Sequence, residues 1–222
     1  MFSFEAWWQI LTTKLPVFFQ GVGTTVELAL CTAIFGTLLG IVVALLRMSR
    51  FKLLKVLAGA YIEFLRGTPL LVQVLIVFYG LPQMGVKLPR MTAGTVALVI
   101  NSAAYMAEIV RSGIQAIDGG QTEASRSLGM NGAQTMIYII LPQAIKNILP
   151  AIGNEFVSII KESSILYTIG IYELTYQANK LASTNFRYLE TLTISALIYF
   201  VLTFTASRLL GMLERRMRRG DR

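Results

Sequence analysis

The chain has 222 residues, 55% of them hydrophobic and 14% charged, a formal net charge of +8 and a mean hydropathy of +0.61. That apolar excess excludes an ordinary soluble domain and points to a single membrane domain over residues 1–222. With no histidine and one cysteine, Cys31, the chain has no Ser-His-Asp triad, no HExxH zinc site and no internal disulfide.

The N-terminal stretch MFSFEAWWQILTTKLPVFF lacks a basic n-region and an A-x-A-like cleavage site, so it does not read as a removable signal peptide. Trp7, Trp8, Phe18 and Phe19 suit the bilayer interface, with simple packing as the alternative. Five apolar runs follow, each long enough to cross a hydrocarbon core of ~30 Å at ~1.5 Å per residue. They lie at about 21–46, 54–81, 91–117, 144–165 and 188–212. The runs do not alternate with period two, so they predict helices rather than barrel strands. In the first, Gly36, Gly40 and Ala44 share one helix face and permit close helix approach, either within the chain or between copies. The second is interrupted by Arg66-Gly67-Thr68-Pro69, and Pro69 leaves the carbonyl of Leu65 without its usual helical partner.

The connections set an expected orientation. The loop after the first span, the segment after the third and the C-terminal tail carry thirteen Lys/Arg, against five in the N-terminus and the other two loops. The positive-inside rule places the first group in the cytoplasm, with the N-terminus outside and the C-terminus inside. The basic tail ERRMRRGDR fits lipid headgroups rather than nucleic acid.

Between the third and fourth spans, on the expected cytoplasmic side, lies EASRSLGMNGAQTMIYIILP, Glu123 to Pro142. Residues 121–128 predict a short helix, with Asp118 or Thr122 as N-cap. Gly129 suits its left-handed C-terminal position, Asn131-Gly132 a turn, and 133–140 a second short helix ended at Leu141-Pro142.

Glu123-Ala124-Ser125, then Gly129, then Ile139-Ile140-Leu141-Pro142 resembles the EAA signature of ABC-importer permeases, E-A-A-x3-G-x9-I-x-L-P, with Ser125 where the pattern prefers Ala. YIEFLRGTPLLVQ (61–73) and NSAAYMAEIVRSGIQAI (101–117) are similar to the polar amino-acid branch of that family. The resemblance implies an all-α, five-span permease of the type I importer fold, in a bacterial-type inner membrane. Residues 121–142 would be the coupling insert, with Glu123, Ala124, Ser125 and Gly129 docking on a cytoplasmic ATP-binding subunit. It further implies a solute-binding protein outside and a second permease chain, identical or related. The chain itself has no GxxxxGK[ST] phosphate loop, so Mg-ATP is expected on the partner and no cofactor on this chain.

Ionisable groups within spans are costly and default to functional candidates. Seven such candidates are Glu27, Glu63, Arg66, Glu108, Glu155, Lys161 and Glu162. Glu63–Arg66 and Glu108–Arg111 are spaced to pair on one helix face. Glu155, Ser158 and Glu162 project from one face of the fourth span, and Asn101, Ser102 and Tyr105 from one face of the third. These six, with Thr68 at the break, are the candidate lining of a substrate passage; interhelical hydrogen bonding is the competing role. The acidic excess favours a cationic amino acid such as arginine, lysine or histidine. A stand-alone ion-coupled transporter is the alternative function, and an intramembrane enzyme is disfavoured by the missing chemistry.

Overall fold

A computed structural model describes residues 2–218, with side-chain placement through residue 216; the last residues of the basic tail, 219–222, lie outside the described residues. The described chain is helical, without strands. Helix α1 is Phe4–Arg47, α2 is Lys52–Gly67 and α3 is Leu70–Gln83. Helix α4 is Arg90–Gln115, α5 is Gly119–Ser127, α6 is Gly132–Ile169, α7 is Leu174–Asn185 and α8 is Tyr188–Arg218. Among the described residues four helices, α1, α4, α6 and α8, are long and apolar enough to cross a membrane, and α2 with α3, bent by 107° at their break, passes the same test only as a pair.

Helix α1 is capped by the Ser3 hydroxyl and runs 44 residues through Pro16 without a break. At ~1.5 Å per residue it is about 66 Å long, roughly twice a hydrocarbon core. Its N-terminal half therefore extends the first expected span as one rod. Phe18, expected at an interface, is fully buried instead, in a cluster with Ile10, Leu174, Ala178 and Ile194; Trp8 and Phe19 stay exposed. The reason is that α7 and α8 fold back over this half. The Ser3 backbone N–H donates to Glu190 (3.0 Å) and the Trp7 indole to Thr193 (3.2 Å).

The small-residue face of α1 closes on α4 of the same chain. A Cβ built on Gly40 would lie 2.5 Å from the Met106 Cβ, and one on Gly36 3.0 Å from the Ser102 hydroxyl. Ala44 is fully buried with Ala107, Val110 and Ala58. Of the two roles open to this stripe, the structure assigns packing within the chain. The buried clusters show the rods alternating in direction. The end of α1, the middle of α2, the end of α4 and the first part of α6 share one cluster. The middle of α1, α3, the start of α4 and the end of α6 share another.

One proline behaves differently from the sequence expectation. Leu141-Pro142 does not end a helix, because a π turn, Thr135–Ile140, precedes it and α6 runs straight on. The wider i→i+5 turn accommodates a residue that has no N–H to give. Gln143 adds a side-chain hydrogen bond to the Ile139 carbonyl at 2.8 Å. The same device recurs in α3, where the π turn Ile76–Gly80 precedes Leu81-Pro82-Gln83.

At the other end of the bundle, the carboxylate of Glu173 is fully buried and caps α7. It accepts from the N–H groups of Tyr176 (2.6 Å) and Thr175 (2.8 Å) and from the Tyr199 hydroxyl (2.7 Å). The Leu174 N–H donates to Thr25 on α1 (3.2 Å), so α1, α7 and α8 meet here. Burial raises the pKa of Glu173, and the three hydrogen bonds offset part of that rise. A carboxyl whose folded pKa is raised contributes stability that is fully present below the ordinary carboxylate range. That contribution is lost as pH rises through the elevated folded value. Thermal unfolding of the detergent-solubilised chain should therefore show a midpoint that declines across this window in the wild type. In Glu173→Gln, which cannot ionise, that decline should be shallower; an unchanged slope would refute the assignment.

Candidate functional site

The break between α2 and α3 begins at Thr68 and Pro69, both in extended backbone conformation. The Thr68 hydroxyl donates to the Phe64 carbonyl (2.8 Å). The Leu65 carbonyl, which Pro69 cannot pair, receives the side-chain N–H of Gln73 at 2.8 Å. The same Gln73 amide nitrogen lies 3.1 Å from the Thr68 carbonyl and 2.9 Å from its hydroxyl oxygen. The Gln73 side-chain oxygen accepts from Asn101 on α4 at 2.9 Å. Gln73 and Asn101 are both buried. Two expected passage residues, Thr68 and Asn101, are thus joined by a third that the sequence reading did not single out. Gln73 stands one turn past the proline, at the place where a side chain can fold back onto the orphaned carbonyl.

Arg66 does not pair with Glu63. Its guanidinium lies over the Tyr105 ring, 5.3 Å from the centroid, a cation–π contact with α4. Glu63 instead faces Arg47 at 3.7 Å, at the exposed junction of α1 and α2. The i,i+3 spacing permitted the Glu63–Arg66 pair, but the packing of α2 on α4 offered Arg66 an aromatic face and left Glu63 outside. Glu108 and Arg111 do pair as the spacing predicts, with Arg111 Nε donating to Glu108 at 2.9 Å and a second bond from the guanidinium terminus.

On the far side of α4, the buried Ser102 hydroxyl reaches the carboxylate of Glu155 on α6 at 3.4 Å. Ser158 and Glu162 continue the Glu155 face along α6, both half-buried. Face by face, a line of polar groups runs from Arg66 through Tyr105 and Ser102 to Glu155. It carries a cation at one end and a carboxylate at the other. Glu27 and Lys161 are exposed elsewhere and do not join it. Among the described residues no cluster of three or more His, Cys, Asp or Glu is placed to hold a metal ion.

The second feature is the segment between α4 and α6. Asp118 caps α5 by accepting from the Gly120 N–H at 2.7 Å, the first of its two expected caps. Gly129 has φ +84°, the left-handed position expected of it. The Met130 N–H returns to the Ser125 carbonyl (3.1 Å) and the Gly129 N–H to that of Arg126 (3.0 Å), the paired bonds of a Schellman ending. Asn131 and Gln134 then exchange side-chain bonds to each other's N–H groups, a capping box that opens α6. Glu123, Ala124 and Gly129 are exposed, and Leu128 is 84% exposed. Ser125 is buried, its hydroxyl bonded to the Gln121 carbonyl at 2.6 Å, so it faces the body of the chain. The departure from Ala therefore falls on the inner side of α5, where a small hydroxyl can satisfy itself on the preceding turn.

Residues 36–219 match the model of the family described as binding-protein-dependent transport system inner membrane component. The arginine transport system permease protein ArtQ of Bacillus subtilis (strain 168) is 40% identical over 94% of this chain and 95% of its own length. The probable glutamine ABC transporter permease protein GlnM of the same organism is 41% identical, over 94% and 96%. Among solved structures, an amino acid ABC transporter crystallised with histidines is 50% identical, with a TM-score of 0.91 over 97% of this chain and 99% of that one. Helical architecture, near-complete coverage and the matched residues agree: the chain belongs to the family of inner membrane components of binding-protein-dependent transport systems, the permeases of ABC importers.

Proposed function

We propose that the chain is the membrane-spanning subunit of an ATP-driven importer of polar or cationic amino acids. It is one of two permease copies, identical or related, in a bacterial-type inner membrane, with its N-terminus outside and its C-terminus in the cytoplasm. The observation that carries this reading is the exposed α5 segment, held rigidly by the Schellman ending and the capping box at the start of α6. A cytoplasmic ATP-binding subunit docks there on Glu123, Ala124 and Gly129, with Ser125 holding the element from behind. Movement of that subunit tilts α6, and through the Ser102–Glu155 contact α4, between inward-open and outward-open states. An extracytoplasmic solute-binding protein supplies the amino acid. Hydrolysis of Mg-ATP belongs to the partner, and this chain makes no covalent change to its cargo. Family membership and the α5 geometry favour this over the stand-alone ion-coupled transporter.

Substrate passes along the polar line of Thr68, Asn101, Ser102, Tyr105, Glu155, Ser158 and Glu162. Once Glu63 pairs outward and Glu108 is held by Arg111, the charged groups on this line are Glu155, Glu162 and Arg66. The remaining excess is acidic and supports a cationic side chain; relatives named for arginine and for glutamine bracket the choice. Competition for uptake into vesicles holding the whole transporter tests it. Lysine, arginine and histidine should displace one another and outcompete glutamate and aspartate. Glu155→Gln should lower uptake of the cationic amino acids tenfold or more relative to glutamine. Preferential uptake of glutamate would defeat the cationic assignment.

A further inference from the structure

The geometry points to Gln73 as a positioning residue for transport: its side chain locks the break between α2 and α3 onto α4, and so sets the passage groups carried by that break. This rests on the passage proposed above. A helix that ends in front of a proline leaves its last carbonyls unpaired, and such backbone is tolerated at membrane depth only where the protein supplies partners. Here one amide supplies a partner to two of them, Leu65 and Thr68. Gln73 donates toward Leu65 and Thr68 and accepts from Asn101.

The direction of the amide is determined by its surroundings. The Thr68 hydroxyl gives its proton to Phe64, so its oxygen is free to accept from Gln73. Reversing the amide would set its oxygen against two carbonyls and its N–H groups against the Asn101 N–H groups. The arrangement is also bent around one point. Gln73 sits past the break on α3, its acceptors lie at the end of α2 (Leu65) and at the break itself (Thr68), and its donor lies on α4. The two sides of the 107° bend and α4 are therefore joined through this one side chain.

The consequence for the passage is positional. Arg66 belongs to the same last turn of α2, and its guanidinium reaches Tyr105, one helical turn along α4 from Asn101. Loosening Gln73 frees the Leu65–Thr68 turn to rotate, which moves Arg66 off the Tyr105 ring. It also turns unpaired carbonyls toward whatever fills the passage. A Leu at position 73 has the size but neither donor nor acceptor. A Glu, if ionised, sets a carboxylate against the carbonyls of Leu65 and Thr68. A plain packing role would predict loss of folded protein only; a positioning role predicts that assembled transporter works wastefully.

The test uses the complete transporter in vesicles, with a radiolabelled mixture of the twenty protein amino acids as probe. The readout is the number of ATP molecules hydrolysed per amino acid taken up, a ratio independent of how much complex survives purification. Gln73→Leu and Gln73→Glu should raise this ratio fivefold or more. Asn101→Gln combined with Gln73→Asn, which keeps an amide pair of the same total length, should bring the ratio closer to wild type than Gln73→Asn alone. A ratio unchanged in both Gln73→Leu and Gln73→Glu overturns the positioning role while leaving the transport reading intact. A wild-type complex that takes up none of the twenty overturns the transport reading, and the positioning role with it.

Discussion

Glu123→Arg is expected to abolish amino-acid uptake while leaving the permease folded. Glu123 is exposed on α5, and its backbone carbonyl, not its carboxylate, takes part in the helix by accepting from the Ser127 hydroxyl. Surface substitutions of this kind change stability by within about 0.5 kcal/mol. If the carboxylate is buried against the ATP-binding subunit on docking, reversing its charge costs about 3 kcal/mol of association, roughly a hundredfold. Co-purification of the ATP-binding subunit with the permease, read beside the unfolding midpoint of the permease alone, separates the two effects. The expected result is loss of the partner with an unshifted midpoint. Undiminished uptake by the Glu123→Arg complex would remove the coupling role from this segment.

Gly40→Leu is expected to be the most damaging single change to the fold. The Cβ at this position would meet the Met106 Cβ at 2.5 Å, the Ala103 carbonyl oxygen at 3.0 Å and the Ala107 nitrogen at 3.1 Å. These are backbone or backbone-proximal atoms that cannot swing aside, so α1 and α4 must separate along their shared seam. Overpacking of this kind costs about 3 kcal/mol. Gly23 is the natural control, being exposed with nothing within 4 Å of a built Cβ; Gly23→Leu should stay within about 0.5 kcal/mol of wild type. Thermal unfolding of the three proteins in detergent gives the comparison. If Gly40→Leu unfolded like wild type but no longer formed the permease pair, the seam would lie between copies after all.

Several features were legible in the order of residues because they are local. Long apolar runs predict helices, since only a helix satisfies its backbone within lipid. Gly129 predicts a left-handed helix ending and Asp118 a helix cap, because each position makes its own bonds within a few residues. Glu108–Arg111 lies within one turn of one helix, so spacing alone brings the two charges together. The interruption at Arg66-Gly67-Thr68-Pro69 was readable from the missing N–H of Pro69, though not that it bends the chain by 107°.

What escaped the sequence depends on which helix lies beside which. Arg66 chose Tyr105 over Glu63 because α4 covers that face of α2. Gln73 and Glu173 look like ordinary polar residues in the chain. They matter because one folds back onto an orphaned carbonyl and the other is enclosed where α1, α7 and α8 converge. Leu141-Pro142 looked like a terminus, since helix-breaking is proline's local tendency, yet a widened turn before it let α6 continue. The sequence by itself determined the class of the chain, its apolar rods and the segment that stands out from them, since those follow from hydrophobicity and from bonds within a few residues. The tertiary structure alone decided how the polar groups pair, because a buried side chain takes whatever partner the neighbouring helix places within about 3 Å, and no spacing along one helix records the neighbour.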